Sequence, residues 1–216
     1  MGQKVNPHVI RLGTVHTWSS RWFNERNYKD IVIEDYGLRT MLMQRLRPAG
    51  ISSVELERSI NSLKIIIYVS RPGIVIGRGG TGLEDLKKRI MAFFVKLKKD
   101  KKSMPKLDIR VEPVKEPNLD AYLVAVNIGD QLGRRLPFKR VLSATAERVM
   151  TSGARGVKIL LTGRIGGAEI ARREKIHLGT VPLSTIRADI GYAQVPTLTK
   201  KGYIGVKVWI HKPEEK

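Results

Sequence analysis

The amino-acid sequence predicts an α+β protein of two domains that follow an N-terminal arm. The chain has 216 residues, of which 42% are hydrophobic, so it can form sizeable cores. Segments with helical spacing and segments with strand alternation occur in two separate sets, without a continuing strand–helix–strand repeat. The segment 113–117, with a proline at each end, lies between the sets. We therefore expect an arm over residues 1–27, a first domain over 28–113 and a second domain over 117–216.

The arm has no clear period, but it contains Trp18, Trp22 and Phe23. Chain ends are usually disordered, yet three large aromatic side chains make disorder an unsatisfactory interpretation. The sequence predicts an arm that becomes ordered on a partner.

The first domain is predicted to pack helices on a three-stranded sheet. Thr81 and Glu84 have the spacing of a capping box, which indicates that a helix begins at Thr81. Asn61-Ser62 favours a turn, so the strands on either side form a hairpin. The predicted elements are a helix over 28–47, strands around 54–56 and 63–69, a short helix over 72–76, a helix from Thr81 to about Lys98, and a strand over 107–111. Between the last two, Lys96–Lys106 favours a solvated connection, with a phosphate-contacting loop as the second interpretation.

The second domain is predicted to have two helices on a four-stranded antiparallel or mixed sheet. Asn118 is the expected N-cap of its first helix, and Asp120 lies in the first turn, where a negative charge suits the helix dipole. Pro137 ends this helix and opens the next, which Gly153 closes. The predicted strands cover about 157–161, 168–178, 187–195 and 202–210.

The charge of the chain indicates a polyanionic partner. It carries 40 Lys and Arg against 20 Asp and Glu, a formal net charge of +20, and the excess extends over both halves. Small domains usually have a net charge of roughly 2–8 in magnitude, so this excess favours a nucleic acid as the partner.

The absence of cysteine excludes disulfides, thiolate zinc sites and iron–sulfur clusters. The four histidines lack metal-ligand spacing, and no carboxylate pair or nucleophile–base arrangement indicates catalysis. We predict no metal, no cofactor, no enzymatic activity and no homo-oligomer. The sequence contains no apolar run of about 20 residues and no signal peptide, so no membrane association is expected and the predicted location is the cytoplasm, with an organelle as the alternative.

A glycine-rich loop provides the most specific local signal. Gly77, Arg78, Gly79 and Gly80 form a Gly-x-x-Gly sequence just before the predicted helix at Thr81. A backbone without Cβ atoms lets a phosphodiester approach closely, and Arg78 adds a positive charge. The predicted order helix–strand–strand–helix–loop–helix–strand is that of the type II KH fold, whose Gly-x-x-Gly loop clamps a nucleic-acid backbone. We therefore predict that these four residues bind RNA.

The same glycines permit a second interpretation. Gly77, Gly79 and Gly82 match Gly-x-Gly-x-x-Gly, the fingerprint of dinucleotide-binding enzymes. That fingerprint requires a strand before the first glycine and an acidic residue about 20 positions later. Pro72-Gly73 shortens the preceding apolar run, and the acid nearest the required distance, Asp100, lies within the lysine-rich segment.

A second basic cluster surrounds Pro137. Arg134 and Arg135 lie where the dipole of the first helix favours cations, so a structural role could explain them. Lys139 and Arg140 lie near a helix N-terminus, which disfavours cations, and therefore indicate phosphate binding. Further rRNA contacts are predicted in the arm and in the second sheet, where an ordinary exposed sheet face is the alternative: Lys4, Arg11, Arg164, Arg172 and Arg173.

Six segments resemble one known family. They are Met1–Pro7 (MGQKVNP), Arg11–Gly13 (RLG), Arg71–Gly77 (RPGIVIG), Gly163–Arg172 (GRIGGAEIAR), Val181–Ile190 (VPLSTIRADI) and Ile204–Ile210 (IGVKVWI). Together they are similar to bacterial-type ribosomal protein three of the small subunit, and the similarity extends over nearly the whole chain.

This resemblance implies a type II KH domain followed by the C-terminal α+β domain of that family. It also implies a non-enzymatic, structural role in the head of the small ribosomal subunit, on rRNA and beside ribosomal proteins ten and fourteen. In that family the second domain lines the channel through which mRNA enters and helps to open mRNA helices. Arg134, Arg135 and Lys139 match the basic cluster that does this, and Arg140 is adjacent.

Overall fold

The computed structural model describes residues 4–59, 61–97 and 106–213. Their contacts define two compact units, one formed by residues 18–115 and the other by residues 1–17 together with 116–216. The segment predicted as a single arm is therefore shared between both units. Residues 98–105, which hold most of the predicted lysine-rich loop and the end of the preceding helix, lie outside the described residues.

The helices are α1 (Pro7–Ile10), α2 (Tyr28–Arg45), α3 (Pro72–Ile76), α4 (Thr81–Leu97), α5 (Ala121–Gly133) and α6 (Phe138–Thr151). The strands are β1 (Ser20–Arg21), β2 (Ile51–Arg58), β3 (Ser62–Val69), β4 (Lys106–Pro113), β5 (Gly156–Gly163), β6 (Arg172–Gly179), β7 (Ile190–Thr199) and β8 (Gly202–His211). The α+β fold class and the predicted order of the main elements are confirmed.

The unit of residues 18–115 contains a sheet in the order β1-β2-β3-β4. β2 and β3 form the predicted antiparallel hairpin, and β4 is parallel to β3. The prediction of three strands omitted β1, which pairs in parallel with β2 at the sheet edge. Because β1 has two residues, it carries no alternation that a sequence pattern could reveal.

The core of this unit forms where α2 and α4 meet the sheet. Leu38 and Leu42 of α2 and Ile90 of α4 are fully buried against Ile65 and Ile67 of β3. Burial of such side chains is worth about 1.5–3 kcal/mol each, so this cluster stabilises the scaffold that carries the glycine loop.

A buried ionic network joins α2 to the hairpin. Glu34 and Asp35 of α2 are 5% and 4% exposed. Arg58 of β2 donates from Nη1 to Glu34 Oε2 at 2.9 Å and from Nε to Asp35 Oδ1 at 2.7 Å. Trp22 Nε1 donates to Asp35 Oδ2 at 2.8 Å, so the network also anchors the segment before α2.

The start of α4 differs from the predicted capping box. Thr81 has helical backbone angles, and its hydroxyl donates to the carbonyl of Arg78 at 3.0 Å. The preceding 3-10 turn, Arg78–Gly80, therefore leads directly into the helix. Thr81 closes this turn instead of forming the predicted capping box with Glu84.

The other unit has a fully antiparallel sheet in the order β6-β5-β8-β7. α5 packs on β7 and β8, and α6 packs on β5 and β6. Ile128 of α5, Ala146 of α6 and Val208 of β8 are 0% exposed in the core between these layers. The predicted architecture of two helices on a four-stranded sheet is confirmed.

The N-terminus of α5 corrects the predicted cap. Asp120 is the N-cap, and its carboxylate accepts from the backbone N–H groups of Tyr122 and Leu123 at 2.8 and 2.9 Å. Asn118 lies in a 3-10 turn, and its amide donates to Ser152 Oγ at 3.0 Å. Pro117 opens this 3-10 turn, so α5 begins only after Asp120, whose carboxylate satisfies two otherwise unpaired donors.

The N-terminal segment docks into this unit through Arg11, which corrects its predicted contact with RNA. The side chain is 0% exposed. Its Nε donates to the carbonyl of Ala188 at 2.7 Å, and Nη1 donates to that of Pro7 at 2.9 Å. Nη2 reaches three further carbonyls, those of Pro182, Leu183 and Thr185. A guanidinium enclosed in this way has a structural role and presents no surface to a phosphate.

Candidate nucleic-acid interface

The glycine loop connects α3 to α4 through backbone conformations that favour glycine. Gly77 is the C-cap of α3 and has φ 70°. Gly79 and Gly80 follow with φ 60° and 83°. Side chains with a Cβ rarely adopt these angles, so the glycines allow the chain to reverse within a few residues.

Close packing fixes the base of the loop, whereas its tip is open. A Cβ on Gly82 would lie 2.5 Å from the carbonyl oxygen of Val75, and one on Gly77 would lie 2.9 Å from the nitrogen of Gly82. Among the residues that the structure describes, nothing lies within 4 Å of a Cβ placed on Gly79 or Gly80. The loop tip is thus free for the close approach of another molecule.

The side chains at the loop match the chemistry of a nucleic-acid strand. Arg78 is exposed at the tip, and α4 begins directly behind it, so its positive helix end lies on the same side. Ile74 and Ile76 of α3 are exposed apolar side chains beside the loop. Cationic and apolar groups side by side can contact phosphates and bases respectively. These isoleucines were not among the predicted RNA-binding residues, because the pattern over 72–76 predicted a short helix without showing which of its side chains are exposed.

The dinucleotide interpretation is contradicted by the element before the loop. The five-residue helix α3 precedes Gly77, whereas a dinucleotide fold has a buried strand at this position. Asp100, the acid nearest the required distance, lies outside the described residues.

The second cluster, here called the basic corner, comprises Arg134, Arg135, Lys139 and Arg140. All four side chains are exposed where α5 ends and α6 begins. In the described part of the chain, none of them pairs with a carboxylate. Unneutralised cations concentrated at a bend produce a positive potential that attracts phosphates.

Arg135 has a strained backbone within this corner. The N–H groups of Arg135 and Leu136 donate to the carbonyls of Leu132 and Gln131 at 3.0 and 3.2 Å, which is the pattern of a Schellman motif. Glycine usually occupies this left-handed position, but here Arg135 has φ 65°. A residue with a Cβ pays about 1 kcal/mol for this conformation. Such strain commonly persists where the side chain is needed.

A cleft of about 420 Å3 opens beside the basic corner. Arg135, Arg164, Lys200 and Lys201 contribute its positive charges. Its apolar surface includes Leu132, Phe138, Ile165 and Ile204. Lys200 and Lys201, in the turn between β7 and β8, were missed by the sequence analysis, although a Lys-Lys-Gly turn between two strands is a readable signal.

The arginines predicted as sheet contacts are not on one surface. Arg164 borders the cleft and donates from Nε to the carbonyl of Ala168 at 2.8 Å. Arg172 is on the helix side of the sheet. Its guanidinium carbon lies 5.6 Å from the ring centre of Phe138, and its Nε lies 3.7 Å from Glu174 Oε1. Arg173 faces the opposite side. Lys4 is exposed, so its predicted contact with rRNA stays a prediction.

The described residues contain no group of three His, Asp or Glu side chains placed to hold a metal ion. Within the same ranges, no helix has both the length and the apolar character required to cross a bilayer.

Comparison with protein families gives two matches that correspond to the two units. A model of the KH domain matches residues 37–119, which include the glycine loop. A model described as ribosomal protein S3, C-terminal domain, matches residues 128–210, which include the basic corner.

Similar curated proteins cover almost the whole chain. The small ribosomal subunit protein uS3 of Desulfosudis oleivorans is 46% identical over 214 residues, which are 99% of this chain and 96% of the relative. The proteins of the same name from Clostridium novyi and Lachnoclostridium phytofermentans are 45% and 43% identical, each over 99% of this chain and 94% of the relative.

Proposed function

This chain belongs to the family of small ribosomal subunit protein uS3, and on that premise we propose that its two basic surfaces hold RNA within the ribosome. The chain is a non-enzymatic structural constituent of the small ribosomal subunit and is located on the ribosome. The finer proposal is that it binds rRNA in the head of the subunit and lines the channel through which mRNA enters, on cytoplasmic ribosomes.

The basic corner carries the proposal for mRNA. Four exposed cations occur within seven residues, without described carboxylate partners, beside a cleft with an apolar surface. A single strand leaving a helix needs phosphate contacts that do not depend on base sequence, and arginine and lysine side chains provide them. The corner would thus favour the unpaired form of the incoming strand and assist the opening of mRNA helices.

The glycine loop carries the proposal for rRNA. Its tip at Gly79 and Gly80 leaves space for a phosphodiester, and Arg78 and the start of α4 provide positive charge. Lys4, Arg164, Arg172 and Arg173 remain proposed rRNA contacts. Arg11 is not among them because its guanidinium is enclosed by backbone carbonyls.

Exposed aromatic side chains support protein neighbours, which we propose to be ribosomal proteins ten and fourteen. In the unit of residues 18–115, Trp18, Phe23 and Tyr36 are 67%, 86% and 71% exposed. Tryptophan, phenylalanine and tyrosine are the side chains enriched at protein interfaces.

The decisive experiment compares ribosomes that carry Arg134→Ala, Arg135→Ala and Lys139→Ala with wild-type ribosomes. We expect slower translation through a stable mRNA hairpin and unchanged translation of an unstructured message, because the strand loses three phosphate contacts. A matched control replaces three exposed cations elsewhere, Lys115, Arg148 and Arg187, with alanine. Subunit assembly should be normal in both variants. Unchanged passage through the hairpin would refute the role of the basic corner.

A further inference from the structure

The sheet of β5–β8 has one face covered by α5 and α6 and a second face, here called the outer face, formed by the alternate residues. Lys158 lies between the buried Val157 and Ile159, and Lys207 lies between the buried Val206 and Val208. Because successive side chains point to opposite faces, both lysines are on the outer face. Strand pairing extends this assignment to β6 and β7.

The register places four cations side by side on the outer face. Leu160 pairs with Lys175 on one side and with Lys207 on the other. Thr162 pairs with Arg173, and Lys158 pairs with His177 and Trp209. Adjacent strands lie about 4.8 Å apart and alternate residues about 7 Å apart. Lys158, Arg173, Lys175 and Lys207 therefore share an area about two or three strands wide.

No negative charge balances these cations within the sheet. The outward positions of the four strands contain no Asp or Glu. Glu174 is the one acidic residue within β5–β8, and its side chain is on the helix side of the sheet, beside Arg172. In the described ranges, none of the four outer-face cations forms an ion pair. Like charges so placed repel one another, and a polyanion would relieve that repulsion.

Aromatic side chains accompany the cations. Lys158 Nζ lies 5.3 Å from the ring centre of Trp209, which is also 5.3 Å from that of Tyr192. At the end of the face, Tyr203 is 68% exposed opposite Leu198, which is 65% exposed. Tyr203 is on the same face of β8 as Lys207, two alternate positions away, so it can stack on a base while the cations bind phosphates farther along the same RNA strand.

We infer that the outer face is a third RNA-binding surface, which takes a short single-stranded segment with phosphates on Arg173, Lys175 and Lys207 and a base on Tyr203. Four-stranded sheets that bind RNA in this way take two or three bases. The inference deepens the proposed function, since the ligand is again RNA: it takes Arg173 from the proposed rRNA contacts and adds Lys175, Lys207 and Tyr203. The basic corner lies at the ends of the helices that cover the opposite face of the sheet.

The test measures binding of the full chain to a fluorescent 12-nucleotide oligouridine over a range of salt concentrations. The triple variant Arg173→Gln, Lys175→Gln and Lys207→Gln should bind more weakly than wild type. The slope of log affinity against log salt should fall in magnitude by about 2, because each phosphate contact on a single strand contributes about 0.7. The control variant Lys115→Gln, Arg148→Gln and Arg187→Gln has the same net charge and should keep the wild-type slope.

A second pair of variants tests stacking. Tyr203→Ser should weaken binding about fivefold or more, whereas Tyr203→Phe should bind like wild type. All these side chains lie on the surface, so equal melting temperatures will show that the variants fold. If the outer-face triple variant matches its control in slope and affinity, RNA is not the ligand and the inference is overturned.

The basic-corner variant distinguishes this inference from the proposed function. If that variant translates through a hairpin normally while the outer-face variant loses RNA binding, the channel role fails and the outer-face inference is supported. If the basic-corner variant passes the hairpin slowly but the outer-face variant binds RNA like its control, the channel role is supported and the outer-face inference fails.

Discussion

Arg11 provides the sharpest test of how the N-terminal segment is held. Replacing it with methionine keeps an apolar stem of similar length but removes every donor of the guanidinium. The carbonyls of Pro7, Thr185 and Ala188, which accept at 2.9, 2.8 and 2.7 Å, would lose their partner. We expect the segment of residues 4–17 to detach from its unit.

The magnitude follows from the three short bonds. A hydrogen bond from a charged donor contributes about 1.5–3 kcal/mol, so three at the low end contribute more than 4 kcal/mol. Removing the guanidinium also relieves the cost of burying it, and water will reach some of the freed carbonyls. We therefore expect the free energy of unfolding of this unit to fall by about 3 kcal/mol. Its melting temperature should fall by about 10 °C.

Urea unfolding of Arg11→Met measures this loss, and amide hydrogen exchange over residues 7–16 locates it. Arg148→Met removes an exposed arginine from the same unit and is the control, with an expected change within about 0.5 kcal/mol. Arg11→Lys should be intermediate, because an ammonium has three donors and cannot reproduce the planar fork. A loss below about 1 kcal/mol together with preserved amide protection would show that Arg11 does not anchor the segment.

Three further outcomes are expected. Arg135→Gly should raise the free energy of unfolding by about 1 kcal/mol, because glycine relieves the left-handed strain at φ 65°. The same variant should slow passage through an mRNA hairpin. A lower stability in urea unfolding would show that Arg135 is not strained. Asp120→Ala should lower stability by about 1 kcal/mol in the same assay, whereas Asp120→Asn should retain most of the cap; equal losses would exclude capping. Burial lowers the pKa of both His8 and His16, whose rings stack with centres 4.2 Å apart. The unfolded chain therefore binds more protons, stability should fall as the pH drops below about 6.5, and His16→Gln should reduce this dependence; an unchanged pH profile would mean that His16 does not contribute.

Sequence patterns predicted helices, strands and turns well where the conformation depends only on residues close in the chain. Alternation over β3 and β8, and prolines and glycines at the ends of α2 and α6, depend on neighbours within a few residues. The same holds for the glycine loop, because positive φ at Gly79 and Gly80 is a local requirement. The family resemblance then connected these elements to a ribosomal role.

Patterns failed where a distant partner changed the role of a residue. In α2 the aromatic Tyr36 is 71% exposed, whereas the carboxylates of Glu34 and Asp35 are buried, which is the reverse of what their hydrophobicity suggests. A hydrophobicity pattern assumes that carboxylates face water, and it contains no information that Arg58, on another element, will neutralise them. Arg11 was assigned to RNA for the same reason.

The sequence by itself determined that this chain is a basic α+β protein with a glycine loop and a basic corner, since composition and short-range periodicity contain that information. Only the tertiary structure decided which cations are available to a partner. It enclosed Arg11 among backbone carbonyls, put Arg172 rather than Arg173 on the side of β6 that faces α6, and aligned Lys175 with Lys207 across β5. The physical reason is that access and charge density depend on register and packing between residues far apart in the chain.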